Sequence, residues 1–164
     1  MAHFRKLLVA VAGAMSLVSA TGVGVSAHEG GTLVEFESMT GVSAAVAGTT
    51  NDRGIKAGGA PWVIRSGRGE VDRSGNVRVR VKGLVIPVAP FNGTNPVANF
   101  KATVSCLTPN GVINVSTGLF PANTAGDSRI NGTVALPGQC NHPIVFVVSP
   151  GGSWFAMSNP EEDD

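Results

Sequence analysis

Val77-Arg78-Val79-Arg80-Val81-Lys82 alternates apolar and cationic side chains without a fault. Successive side chains of a strand point to opposite faces, so this run fits a strand with valines toward a core and cations toward solvent. The tripeptide ahead of it, Arg73-Ser74-Gly75, suits a three-residue hairpin turn with Gly75 in the left-handed position. The partner strand is then expected around 62–72, with Val71 opposite Val77 and Glu70 opposite Arg78. A slip by one residue would set Val71 against Arg78 and mix the two faces, which selects the first register.

Further strands are expected over 33–36, 97–107, 112–115, 130–136, 144–148 and 153–157. Pro109-Asn110-Gly111 and Ser149-Pro150-Gly151-Gly152 are turn signals between neighbours. Ser43 to Ala47 suits no more than one helical turn, because glycines flank it. About seven short β segments without a sustained helical period predict an all-β fold, a single antiparallel β-sandwich of Ig-like or Greek-key type. Trp62, Phe100, Phe146, Trp154 and Phe155 are the bulky side chains available for its core.

The amino-terminal region has a different character. Arg5 and Lys6 precede an apolar run over 7–18, and a small-residue exit ends at Val25-Ser26-Ala27. A basic patch, a short apolar core and an A-x-A-like site together read as a secretory signal peptide over 1–27. An earlier Val-Ser-Ala ending at Ala20 abuts the apolar core and leaves little room for a peptidase. Cleavage after Ala27 leaves about 140 residues, the size of one domain with its own core. The expected organisation is a flexible lead rich in Gly, Ala, Ser and Thr over 28–52, a β-sandwich over 53–158, and an acidic tail over 159–164. The tail holds Glu161, Glu162, Asp163 and Asp164 and is expected to be solvated. No later apolar run is long enough to span a bilayer, so the product is expected to be secreted or extracellular, soluble or loosely held at the cell surface.

The two cysteines, Cys106 and Cys140, both fall in the exported part. An oxidising compartment makes a disulfide between them the expected state. In the chain-entropy account, such a loop closure stabilises the fold by roughly 3–4 kcal/mol. Two thiols do not fill a structural zinc site unaided, and no pair of histidines lies nearby in sequence.

Arg53-Gly54-Ile55, Gly58-Gly59-Ala60-Pro61-Trp62, Gly93-Thr94-Asn95-Pro96, Val104-Ser105-Cys106, Cys140 with Pro143-Ile144-Val145, and Trp154-Phe155-Ala156 occur in that order. As a set over residues 53–157 they resemble a family of small exported bacterial proteins of unassigned function. The resemblance implies a bacterial secreted β domain with one disulfide. It carries over no catalytic residues.

The residues themselves offer little for catalysis. Outside the signal the histidines are His28 and His142, and tyrosine is absent. No G-x-S-x-G elbow or H-E-x-x-H pair occurs, and the Gly58-Gly59 and Gly67-Arg68-Gly69 runs lack the Lys-Ser/Thr of a phosphate loop. Net charge is near zero, at +1 for the whole chain, which favours neither nucleic acid nor a polyanion globally. Locally, Arg53, Lys56, Arg65, Arg68, Arg73, Arg78, Arg80 and Lys82 crowd one stretch. In the hairpin register, Arg68, Arg78, Arg80 and Lys82 share a face, with Glu70 partly neutralising Arg78. That face is the candidate contact for an anionic envelope polymer or glycan, beside its plain use as a solvated, aggregation-resistant surface. Aromatic interleaving for single-stranded nucleic acid is absent. Asn92-Gly93-Thr94, Asn114-Val115-Ser116 and Asn131-Gly132-Thr133 match the glycosylation sequon; in a bacterial chain they read as turn and strand residues.

The sequence therefore points to a non-enzymatic exported β-sandwich that binds a partner or serves the cell envelope, with no cofactor. The alternative is a copper-binding or copper-dependent redox protein. In that case a mature terminus at His28 supplies amine and imidazole nitrogens, with His142 as a third nitrogen ligand.

Overall fold

The cationic run and its neighbours form the hairpin that the alternation demands. In the computed structural model, which describes residues 31–159, β1 is Thr32–Phe36, β2 Met39–Gly41, β3 Ser66–Asp72, β4 Asn76–Lys82 and β5 Asn99–Thr108. The remaining strands are β6 Gly111–Ser116, β7 Phe120–Pro121, β8 Ser128–Thr133, β9 Asn141–Val148 and β10 Trp154–Ser158. β3 and β4 pair antiparallel with Val71 opposite Val77 and Glu70 opposite Arg78. Gly75 closes the turn at φ 88°, and a Cβ there would also collide with the Val134 carbonyl, so only glycine fits.

Two antiparallel sheets result. One has the order β1-β3-β4-β8; the other runs β2-β10-β9-β5-β6, with β7 pairing the start of β5. The chain moves between sheets after β1, β2, β4, β7 and β8. The fold is a β-sandwich of ten strands where about seven were expected; the additional strands are short ones with little periodicity. Among the described residues no helix is present and none is long and apolar enough to cross a membrane.

The core follows from strand period. Val71, Val77, Val79, Val81 and Ile130 are buried from one sheet, and Phe100, Ala102, Val104, Val145 and Val147 from the other. Each such side chain contributes about 1.5–3 kcal/mol relative to an exposed one. Trp62 is buried, its ring stacked 3.9 Å from Phe155, which meets Phe100 edge-on at 5.9 Å. It lies ahead of β3, whose first residue is Ser66, so the expected strand start at 62 is corrected. Trp62 is fixed by packing and by its backbone N–H, which donates to the Val42 carbonyl at 2.8 Å.

The expectation of a flexible lead over 28–52 is also corrected for its described part. β1 pairs with β3, β2 pairs with β10, and Phe36, Met39 and Val42 are buried. These apolar side chains, with Leu33 and Val34 packed against the core, anchor the stretch to both sheets. The expected strand over 130–136 stops at Thr133. Beyond it the Val134 amide turns to the Gly75 carbonyl at 2.9 Å.

β9 is buried on both faces, since Val145, Phe146, Val147 and Val148 are all inaccessible. The second cover is the segment 49–58. Its Ala57 bridges Trp154 in the parallel sense, and Ile55 and Ala57 are buried. Arg53 is 7% exposed and spans two strands. Its Nη1 donates to the Ser105 carbonyl at 3.2 Å and its Nη2 to the His142 carbonyl at 2.9 Å. The Arg53 carbonyl in turn accepts from the Asn114 amide at 2.8 Å. A rigid five-donor fork suits this bridging of carbonyls. It acts where β5 and β9 shift register, next to the disulfide joining Cys106 and Cys140, whose Cα atoms are 4.7 Å apart. The disulfide fits folding in a non-reducing compartment.

At the other end of the described chain, Asn159 is tied to the corner between β1 and β2. Its amide N–H donates to the Ser38 carbonyl at 3.1 Å and its side-chain amide to Ser38 Oγ at 2.9 Å. Thr40 Oγ1 donates to its Oδ1 at 2.7 Å.

Candidate functional site

With valines, glycines and Ile130 turned inward, the outer face of the β1-β3-β4-β8 sheet carries a dense set of charged side chains. Register arranges it in rows across the strands. Arg68 lies opposite Arg80, and Arg80 opposite Arg129. The adjoining row reads Glu35, Glu70, Arg78 and Asn131. On the other side of the arginines, Ser66 faces Lys82.

These cations are not equivalent. Arg78 Nη1 sits 2.6 Å from Glu70 Oε1, an exposed pair worth little to stability. Lys82 Nζ lies 3.2 Å from Asp127 Oδ2, with Arg65 Nη2 at 4.0 Å from the other oxygen. The Gly83 amide also donates to Asp127 at 3.0 Å. That backbone hydrogen bond, with help from Lys82 and Arg65 against the opposing effect of burial, holds the Asp127 carboxyl below its ordinary value. Gly126 permits the arrangement: its φ is 77°, and the Leu84 backbone packs where a Cβ would stand. The turn is closed by Asn123, whose Oδ1 accepts the Asp127 amide at 2.9 Å.

Arg68, Arg80 and Arg129 are exposed and have no acidic partner among the described residues. They line a shallow open groove of about 330 Å³ with Glu35, Glu37 and Asn131. Like charges set directly opposite one another across strands destabilise a sheet slightly. Three in a row, each left unpaired, form the most distinctive arrangement on the described surface.

Of the residues expected from sequence, Arg68, Arg78, Arg80 and Lys82 do share one face. Arg78 and Lys82 are engaged by carboxylates, so the open positive charge shifts to Arg68 and Arg80. Arg129 escaped the sequence reading because β8 holds this one cation, far along the chain from the hairpin. Only the β4–β8 register joins it to the others. His142 is exposed with φ 43°, and its carbonyl is taken by Arg53. His28, the other nitrogen source of the copper alternative, lies outside the described residues, as does the expected signal peptide. Among the described residues no three His, Cys, Asp or Glu side chains cluster to hold a metal.

Fold and face together define a disulfide-linked β-sandwich with a cationic outer sheet. No protein-family model, curated protein or solved structure matches this chain.

Proposed function

We propose that this protein is an exported, non-enzymatic binding module that docks on an anionic polymer of the bacterial envelope through the outer face of its four-stranded sheet. The observation that carries this reading is the row Arg68-Arg80-Arg129, three opposed guanidiniums without a carboxylate partner. A face evolved for solubility alone needs no such row, because mixed charges serve that purpose without the cross-strand repulsion. A flat, open groove suits a chain passing over the sheet better than a small molecule held in a pocket. The signal-like segment over 1–27 and the disulfide support export.

The test is retention on native cell-wall material at low and high salt. Wild type should be retained at low salt and released as screening rises. An Arg68/Arg80/Arg129→Gln variant should pass through at both. Equal retention of the two proteins would assign the arginines to solubility and end this reading.

A further inference from the structure

Resting on that reading of the outer face, we infer that the ligand is a carboxylated polysaccharide with about one carboxylate per sugar, lying across the strands along the arginine row, rather than a phosphate-dense polymer. Neighbouring strands are spaced about 4.7–4.9 Å apart. Arg68, Arg80 and Arg129 sit one per strand at that step. A pyranose ring advances an extended glycan by a similar length, so a chain with one carboxylate per sugar spaces its charges on the same scale as the arginines. Each guanidinium offers the fork that a carboxylate accepts in bidentate fashion.

The flanks of the groove decide between polyanions. Glu35 and Glu37 have no cation partner among the described residues, and Asn131 presents an unengaged amide. Carboxylates beside the arginines repel most strongly a polymer whose charges crowd closer together than one per sugar ring, as those of a polyphosphate do. They accept hydrogen bonds from hydroxyl groups, which a uronate sugar carries on its ring and a polyphosphate lacks. The groove lining contains no aromatic ring. Nucleobases therefore have no stacking platform, and a neutral glycan has neither a ring to stack on nor a charge to offer the arginines.

The experiment compares binding of a polyuronate, an inorganic polyphosphate of matched charge and a neutral dextran to the protein purified after export, at one fixed salt concentration. Three proteins are used: wild type, Arg80→Gln/Arg129→Gln, and Glu35→Gln/Glu37→Gln, each checked for a cooperative melt. Wild type should prefer polyuronate to polyphosphate by about tenfold or more and ignore dextran. The arginine variant should lose the polyuronate, and the glutamate variant should narrow the preference by gaining polyphosphate. Equal or tighter polyphosphate binding that depends on the arginines would overturn the glycan assignment and leave the polyanion face standing. Binding of neither polymer, or binding indifferent to the arginine substitutions, would overturn both.

Discussion

Arg129 of β8 stands directly opposite Arg80 of β4, and the two extend across the sheet a like-charge contact that Arg80 already makes with Arg68. Residues paired this way have Cβ atoms about 4.5–5.5 Å apart, and like charges there cost a fraction of a kcal/mol to about 1 kcal/mol. The sheet thus carries a small electrostatic strain on its exposed face.

Relieving that strain should separate stability from binding. Arg80→Gln is expected to raise the melting temperature by about 1–3 °C, while weakening retention on an anionic matrix at low salt. Thermal melts and salt-gradient elution of the same preparation measure both. A variant less stable than wild type would show that Arg80 supports the sheet instead of stressing it.

Arg53 is the opposite case, a buried cation serving structure. Arg53→Ala leaves the Ser105 and His142 carbonyls without their donors and should cost about 3 kcal/mol. Arg53→Lys should recover part of this, since one ammonium does not reproduce a planar fork spanning two strands. Urea unfolding of the three proteins gives the ranking directly; an alanine variant as stable as wild type would mean that 49–58 holds to the sheet without it.

Trp62→Ala should destabilise by about 3–5 kcal/mol, because the indole is 4% exposed and stacked on Phe155. Loss of this ring also opens space beside Phe155, so near-ultraviolet circular dichroism should weaken beyond the loss of one indole. A cost under about 1 kcal/mol would place the core elsewhere.

Asp127 gives the fold an acid-sensitive corner. Its carboxyl is held below the ordinary value of 3.8, so its stabilising contribution is present above that pH and lost as pH falls through the folded-state value. Asp127→Asn removes the titration. Wild type should exceed the variant in melting temperature at neutral pH, and the gap should close on acidification below about pH 4. Melts from pH 7 downward test this; curves that stay parallel would show that the bonds to Gly83 and Lys82 add no pH-dependent stability.

The β3–β4 hairpin was legible because two independent signals coincide there, strict alternation in β4 and a glycine turn that fixes register. The disulfide was legible from the number of cysteines and the compartment that the sequence led one to expect. The β1–β2 corner was less so: Leu33 to Phe36 read as an isolated strand candidate, while Met39 and Val42 sit in a polar, glycine-rich stretch whose role depends on β10 arriving from the far end of the chain. Trp62 was rightly expected in the core but wrongly given to a strand, since a buried ring and a strand residue look alike when Pro61 precedes them. For the site, the hairpin supplied Arg68 and Arg80. The differences that matter most, Lys82 tied down by Asp127 and Arg129 completing the row, arise from long-range neighbours that local periodicity does not encode.

The bonds from Asn159 to Ser38 and Thr40 have a practical consequence. Ser38 adjoins Glu37 at the lip of the groove, so whatever follows Asn159 in the chain begins at the entrance to the arginine face. A purification handle, fluorophore or solid support joined there is poised to shade the surface under test. The exposed Pro109-Asn110 turn between β5 and β6 belongs to the other sheet, and a label attached at that turn leaves the arginines open to solution.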